Sequence, residues 1–114
     1  MKGDELHEAA LALPAATMDV QWGDDHVYKV GGKMFAVTNG AGTSLSFKAT
    51  DIAFEALTEA GRAIPAPYMA RARWVFFDDL GGLDPAEVRG WLATAHELVA
   101  AKLTKKLRAE LGLA

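Results

Sequence analysis

Cysteine is absent from the 114 residues. That excludes disulfides, thiolate nucleophiles and Cys-ligated zinc. No apolar run approaches the roughly 18 residues that a membrane span needs. The opening stretch MKGDELHEAA carries acids and has no apolar segment of signal-peptide length, so the expected location is the cytoplasm. Positive charge is also in short supply, with 12 Lys and Arg against 15 Asp and Glu and a net charge of −3. Bulk charge therefore does not draw this chain to nucleic acid. His7, His26 and His96 show no ligand spacing, and no metal site is expected. GAG and VGGK lack the GxxxxGK(S/T) spacing of a phosphate loop, so no cofactor is expected either. Ser44 and Ser46 stand in no nucleophile elbow, and the adjacent Asp78 and Asp79 read as a turn. No catalytic residue emerges.

What remains is an ordinary globular composition, 51% apolar, in a length that builds one domain, 1–114. DELHEAALAL places Leu6, Ala9, Ala10 and Leu13 at helical spacing before Pro14. TMDVQWG alternates Met18, Val20 and Trp22 against Asp19 and Gln21, the period of a half-buried strand. HVYKV and KMFAV flank Gly31-Gly32, which favours a tight hairpin needing positive φ. The implied register sets Val30 opposite Lys33, Lys29 opposite Met34, Tyr28 opposite Phe35 and Val27 opposite Ala36. One face then holds Tyr28, Val30, Phe35 and Val37, and the other holds Val27, Lys29, Met34 and Ala36. Leu45 and Phe47 turn inward on a fourth strand, with Ser46 and Lys48 outward.

A second helix is expected over about 51–60, capped by Thr50 or Asp51, with Ile52, Phe54, Ala56 and Leu57 apolar. IPAPYMARA is irregular, because its prolines remove backbone donors. RWVFFD is a further strand. LDPAEV starts the last helix, with Asp84 as N-cap, Pro85 at N1 and Glu87 at N3. That helix is expected to run to about Leu111, making 104–114 a C-terminal helical extension. Its Leu103, Leu107 and Leu111 stripe should rest on protein, either the chain's own sheet or a second copy. The fold class is α+β, in the order α-β-β-β-β-α-β-α. It is a two-layer sandwich whose antiparallel sheet of about five strands has helices on one face. Tyr28, Phe35, Leu45, Phe47, Trp74 and Trp91 should share the core.

Charge is unevenly placed. Residues 26–50 hold Lys29, Lys33 and Lys48 and no acid. Arg71 and Arg73 flank the later strand. These five cations are the candidate nucleic-acid-binding residues, because a basic patch binds phosphates. The bland alternative is that exposed strands carry lysine to resist edge pairing.

VQWG, VYKVGGKMFAV, LSFKA, PAPYMARARWV and HELVAAKL, in this order and spacing, resemble MmcQ/YjbR-like proteins over roughly Leu6 to Leu103. The resemblance implies a CyaY-like fold and a role described for the family as DNA binding, by likeness to a double-wing domain. Family members usually carry Ser-Tyr where this chain has Ala95-His96. Together these readings give a non-enzymatic small protein that binds DNA weakly and salt-dependently through the open sheet face. The alternative is a protein–protein interaction module using the same face. Either a monomer or a homodimer is compatible with this.

Overall fold

The computed structural model describes residues 1–113; Ala114, the end of the expected extension, lies outside them. Helix α1 (Gly3–Leu11) leads into strands β1 (Ala16–Gln21), β2 (Asp25–Val30), β3 (Lys33–Thr38) and β4 (Leu45–Lys48). Helix α2 (Asp51–Glu59), strands β5 (Ile64–Pro65) and β6 (Trp74–Phe77), and helices α3 (Pro85–Ala100) and α4 (Lys105–Glu110) follow. The sheet is antiparallel throughout, in the order β1-β2-β3-β4-β6-β5. The class is the expected one. The sixth strand is the two-residue edge Ile64–Pro65, where a missing proline N–H is tolerated.

The helix starts are set by their caps. Thr50 accepts the Ala53 N–H and Asp84 accepts the Glu87 N–H, with Pro85 at N1. Arg62, just past α2, forms a forked pair with Glu87 at the start of α3, at 3.0 and 3.1 Å. The same guanidinium lies 5.5 Å from the Trp91 ring. The Arg62 hydrogen bond holds the Glu87 carboxyl below its ordinary pKa.

The core lies between the sheet and the helices. Leu6 and Ala10 of α1, Leu57 of α2, and Val88, Leu92, Ala95 and Val99 of α3 cover Tyr28, Val30, Phe35, Leu45, Phe47, Val75 and Phe77. Phe47, Phe77 and Trp91 stack with centroids 5.2–6.0 Å apart. Buried Tyr28 places its hydroxyl 3.0 Å from His7 Nδ1. Burial pushes the phenol up to about 12, so the hydroxyl keeps its proton at ordinary pH. His96 is buried too, with Nε2 2.7 Å from the Pro14 carbonyl and its ring edge-on to Phe35. The departure at Ala95-His96 therefore sits in the core, where the imidazole ties α3 to the α1–β1 connection.

Four expectations are corrected. The hairpin register holds at Val30–Lys33 and Lys29–Met34, then shifts: Tyr28 pairs with Ala36 and Val27 with Val37. Phe35 is the extra residue of a β-bulge. Ala36 and Thr38 thereby turn into the protein, and Val37 goes to the open face. Trp74 is buried, but it pairs with Lys48 and stands on the open face, outside the main core. Val20 and Ile52 are exposed. Val20 pairs with His26 at the far end of edge strand β1, past the cover that α1 gives to Met18.

The last correction concerns the C-terminal helix. It stops at Ala100, and Thr104 starts a new one by accepting the Leu107 N–H. The break lets Leu103 bury against Gly31 of the hairpin turn, where a Cβ would meet the leucine at 2.6 Å. Leu107, Leu111 and Leu113 pack on the chain's own core. The leucine stripe thus rests on protein, as its spacing implied, and segment 104–113 closes the fold rather than projecting from it.

Candidate recognition surface

The pairing fixes which side chains share the open face. Asp19, Val27, Val37, Ser46, Phe76 and Ile64 form one row across all six strands. Lys29 and Met34 lie beside that row, as do Lys48 and Trp74. The row is mostly apolar, and Val27 within it is fully buried.

Three of the five candidate cations are already committed. Lys29 Nζ lies 2.9 Å from Asp19 Oδ2, on the neighbouring strand. Arg73 Nε donates to Asp51 Oδ1 at 3.0 Å, and its guanidinium sits 5.1 Å from the Phe54 ring. Lys48 Nζ donates to the Ala72 carbonyl at 2.6 Å, closing the 3-10 turn Ala70–Ala72 onto the sheet. Burial, and then the nearby Lys102, lower the Lys48 pKa. Lys33 and Arg71 are exposed and make no ion pair among the described residues. Lys48 reaches the arginine segment through the Ala72 carbonyl, while the Arg73 side chain turns to Asp51. Lys29 is held apart on the β1 side, so no five-cation patch forms.

Sequence reasoning missed the feature that does form. A cleft of about 560 Å³ opens on this face, lined by Met34, Val37, Ser46, Ala66, Met69 and Asp25, with Trp22, Pro67 and Tyr68. That volume is in the range of ligand pockets, roughly 300–1,000 Å³. Trp22 is 64% exposed and Tyr68 fully so. Both have left-handed backbones, φ 50° and φ 66°. Tyr68 follows Pro67 in a turn closed by Met69 N–H to Ala66 C=O at 3.0 Å. Proline second and positive φ third make this the type II pattern, which prefers glycine or asparagine at the third position. Trp22 precedes Gly23 (φ 93°) in the β1–β2 turn, where consecutive positive φ values also favour asparagine or glycine. Asp25 makes no ion pair among the described residues. The readable signal was that WG and PY sit at turns, where bulky aromatics are poor residues.

On the opposite face of the sheet, next along β2 from Asp25, His26 comes within 6.4 Å of His7, centroid to centroid. Among the described residues no three His, Cys, Asp or Glu side chains gather as metal ligands. No helix among the described residues is long and apolar enough to cross a membrane.

The YjbR family model matches residues 11–98. The chain belongs to the YjbR family. The fold also resembles the crystal structure of Deinococcus radiodurans protein DR2400, described as a DUF419 domain. The TM-score is 0.85 at 27% identity, over 99% of this chain and 89% of that one. No curated protein matches the chain. Family membership brings no assigned function with it, so the reading of the open face rests on its own chemistry.

Proposed function

We propose that this YjbR-family chain is a non-enzymatic binding module that recognises a protein segment through the open face of its sheet. One observation carries the reading: the cleft rimmed by Trp22 and Tyr68 is apolar, and no cation lines it. Apolar floors with exposed aromatics suit protein partners, since interface anchors are enriched in tryptophan, tyrosine and methionine. Phosphate binding needs free cations, and Lys29, Lys48 and Arg73 already have partners. Lys33 at the hairpin tip and Arg71, neither in an ion pair among the described residues, support a weaker second reading, salt-dependent DNA contact.

Selection from a random peptide library tests the reading. A consensus that binds the wild-type protein and is lost in Tyr68→Gly supports it. A library that yields no consensus, or one indifferent to Tyr68, removes it. Anisotropy titration with duplex and single-stranded DNA decides the second reading. Binding at about 50 mM salt with a steep salt slope, lost in Lys33→Ala/Arg71→Ala, would favour DNA.

A further inference from the structure

The cleft is apolar on its floor, aromatic on both rims and acidic at one point. Met34, Val37, Ala66 and Met69 supply the floor, and Trp22 and Tyr68 stand at the rims. Asp25 is the single charged residue in the lining, and it has no ion-pair partner among the described residues. An anionic occupant is repelled here. A wholly apolar one leaves the Asp25 carboxylate facing it without a counter-charge. A cation with a long apolar stem satisfies every part of the lining.

Arginine fits better than lysine. Its planar guanidinium stacks on aromatic faces and bonds a carboxylate through two parallel N–H groups. Its methylene stem lies well on apolar surface. We propose that the cleft is a recognition site for an arginine side chain of a partner protein, held between the Trp22 and Tyr68 rims and the Asp25 carboxylate. This inference rests on the protein-binding reading above and names its chemistry.

The backbone supplies an independent argument. Trp22 and Tyr68 each hold a left-handed conformation that L-residues with bulky side chains rarely adopt. Neither gains burial from it, for both are exposed. Of the four non-glycine residues at positive φ among the described residues, Ala15, Trp22, Tyr68 and Arg73, the two large aromatics both line this cleft, and strained backbone of this kind clusters at functional sites.

The test uses the whole protein and two tripeptides, acetyl-Leu-Arg-Leu-amide and the same peptide with neutral citrulline in place of arginine. The readouts are NMR shifts of the Trp22 indole N–H and of the Met34 and Met69 methyls. The arginine peptide should shift all three saturably and bind about tenfold tighter than the citrulline peptide, because only it is charged. Asp25→Asn should erase that preference, and Trp22→Asn should remove binding while the other methyl shifts still report a folded chain. Equal affinity for the two peptides overturns the proposal, as does the absence of shifts up to about 10 mM, beyond the weakest millimolar affinity worth calling recognition. A library consensus that needs Tyr68 but contains no arginine overturns it as well, and leaves the protein-binding reading standing.

Discussion

On the covered face of the sheet, aromatic rings are held by one another. Phe47, Phe77 and Trp91 stack within 6.0 Å, and His96 meets Phe35 edge-on at 5.5 Å. On the open face, Trp22 and Tyr68 stand in water, on backbone positions better suited to glycine or asparagine. The same residue class therefore does two jobs. Where strand alternation, burial and backbone preference agree, the aromatic builds the fold. Where they conflict, at Trp22 and Tyr68, the ring stays outside the core.

The strongest way to break this contrast is to truncate one residue on each face. Phe35→Ala removes a fully buried ring at the bulge and should cost about 3–5 kcal/mol in a urea melt. Val37→Ala, on the open side of the same strand, should cost no more than about 1 kcal/mol. Similar losses at both sites would mean that the open face is as integral to the core as the covered one.

The tail sharpens the contrast, because it reinforces the covered side. Leu103→Ala should cost about 2–4 kcal/mol, as for other buried leucines. Gly31→Ala should cost about 1–3 kcal/mol, since its Cβ would overpack Leu103 at a φ of 59°. In the Leu103→Ala background the Gly31→Ala loss should shrink to its backbone part. A strictly additive double mutant would show that the two do not touch in solution.

Alkaline pH probes the covered face through Tyr28. Its phenol ordinarily titrates at 10.0, and burial raises this to about 12. Below pH 10 both folded and unfolded states hold the proton, and the contribution is fully present. Between about pH 10 and pH 12 the unfolded chain loses the proton first, so stability falls as pH rises. The loss across that window should reach about 2–3 kcal/mol. Tyr28→Phe should flatten that part of the pH profile and expose the worth of the hydroxyl's contact with His7. An unchanged slope in Tyr28→Phe would assign the alkaline loss to other groups.

Much of the covered face was legible from the chain. Asp84, Pro85 and Glu87 announce α3, and Gly31-Gly32 announces the hairpin. The bulge was not legible, because Met34, Phe35, Ala36 and Val37 are all apolar and suit either face. Alternation carries no mark of where one extra residue enters. The interrupted final helix was hidden for a similar reason: helical spacing persists through Leu103, Leu107 and Leu111, and only Thr104 signals a restart. The cations misled because their partners are distant in sequence or are backbone atoms. Asp19 reaches Lys29 across a strand pair, and Ala72 offers Lys48 a carbonyl. The cleft joins two turns far apart in the chain, so no local pattern contains it.

The smallest expected effect bears most directly on the open face. If Trp22 and Tyr68 are kept for binding, then removing them should not harm the fold. Trp22→Asn places a residue that tolerates the left-handed region where a bulky one is strained. Tyr68→Gly does the same at the third position of its turn, at some cost in chain entropy when unfolded. Each variant should melt at or slightly above the wild-type midpoint, a gain of about 0–1 kcal/mol. The same substitutions made at buried aromatics such as Phe47 should be strongly destabilising. Paired denaturant melts, with binding measured on the same samples, separate the outcomes. Stability kept and binding lost is the result expected of a recognition surface. A loss above about 1 kcal/mol in either variant would place that ring among the structural aromatics and dissolve the distinction between the two faces.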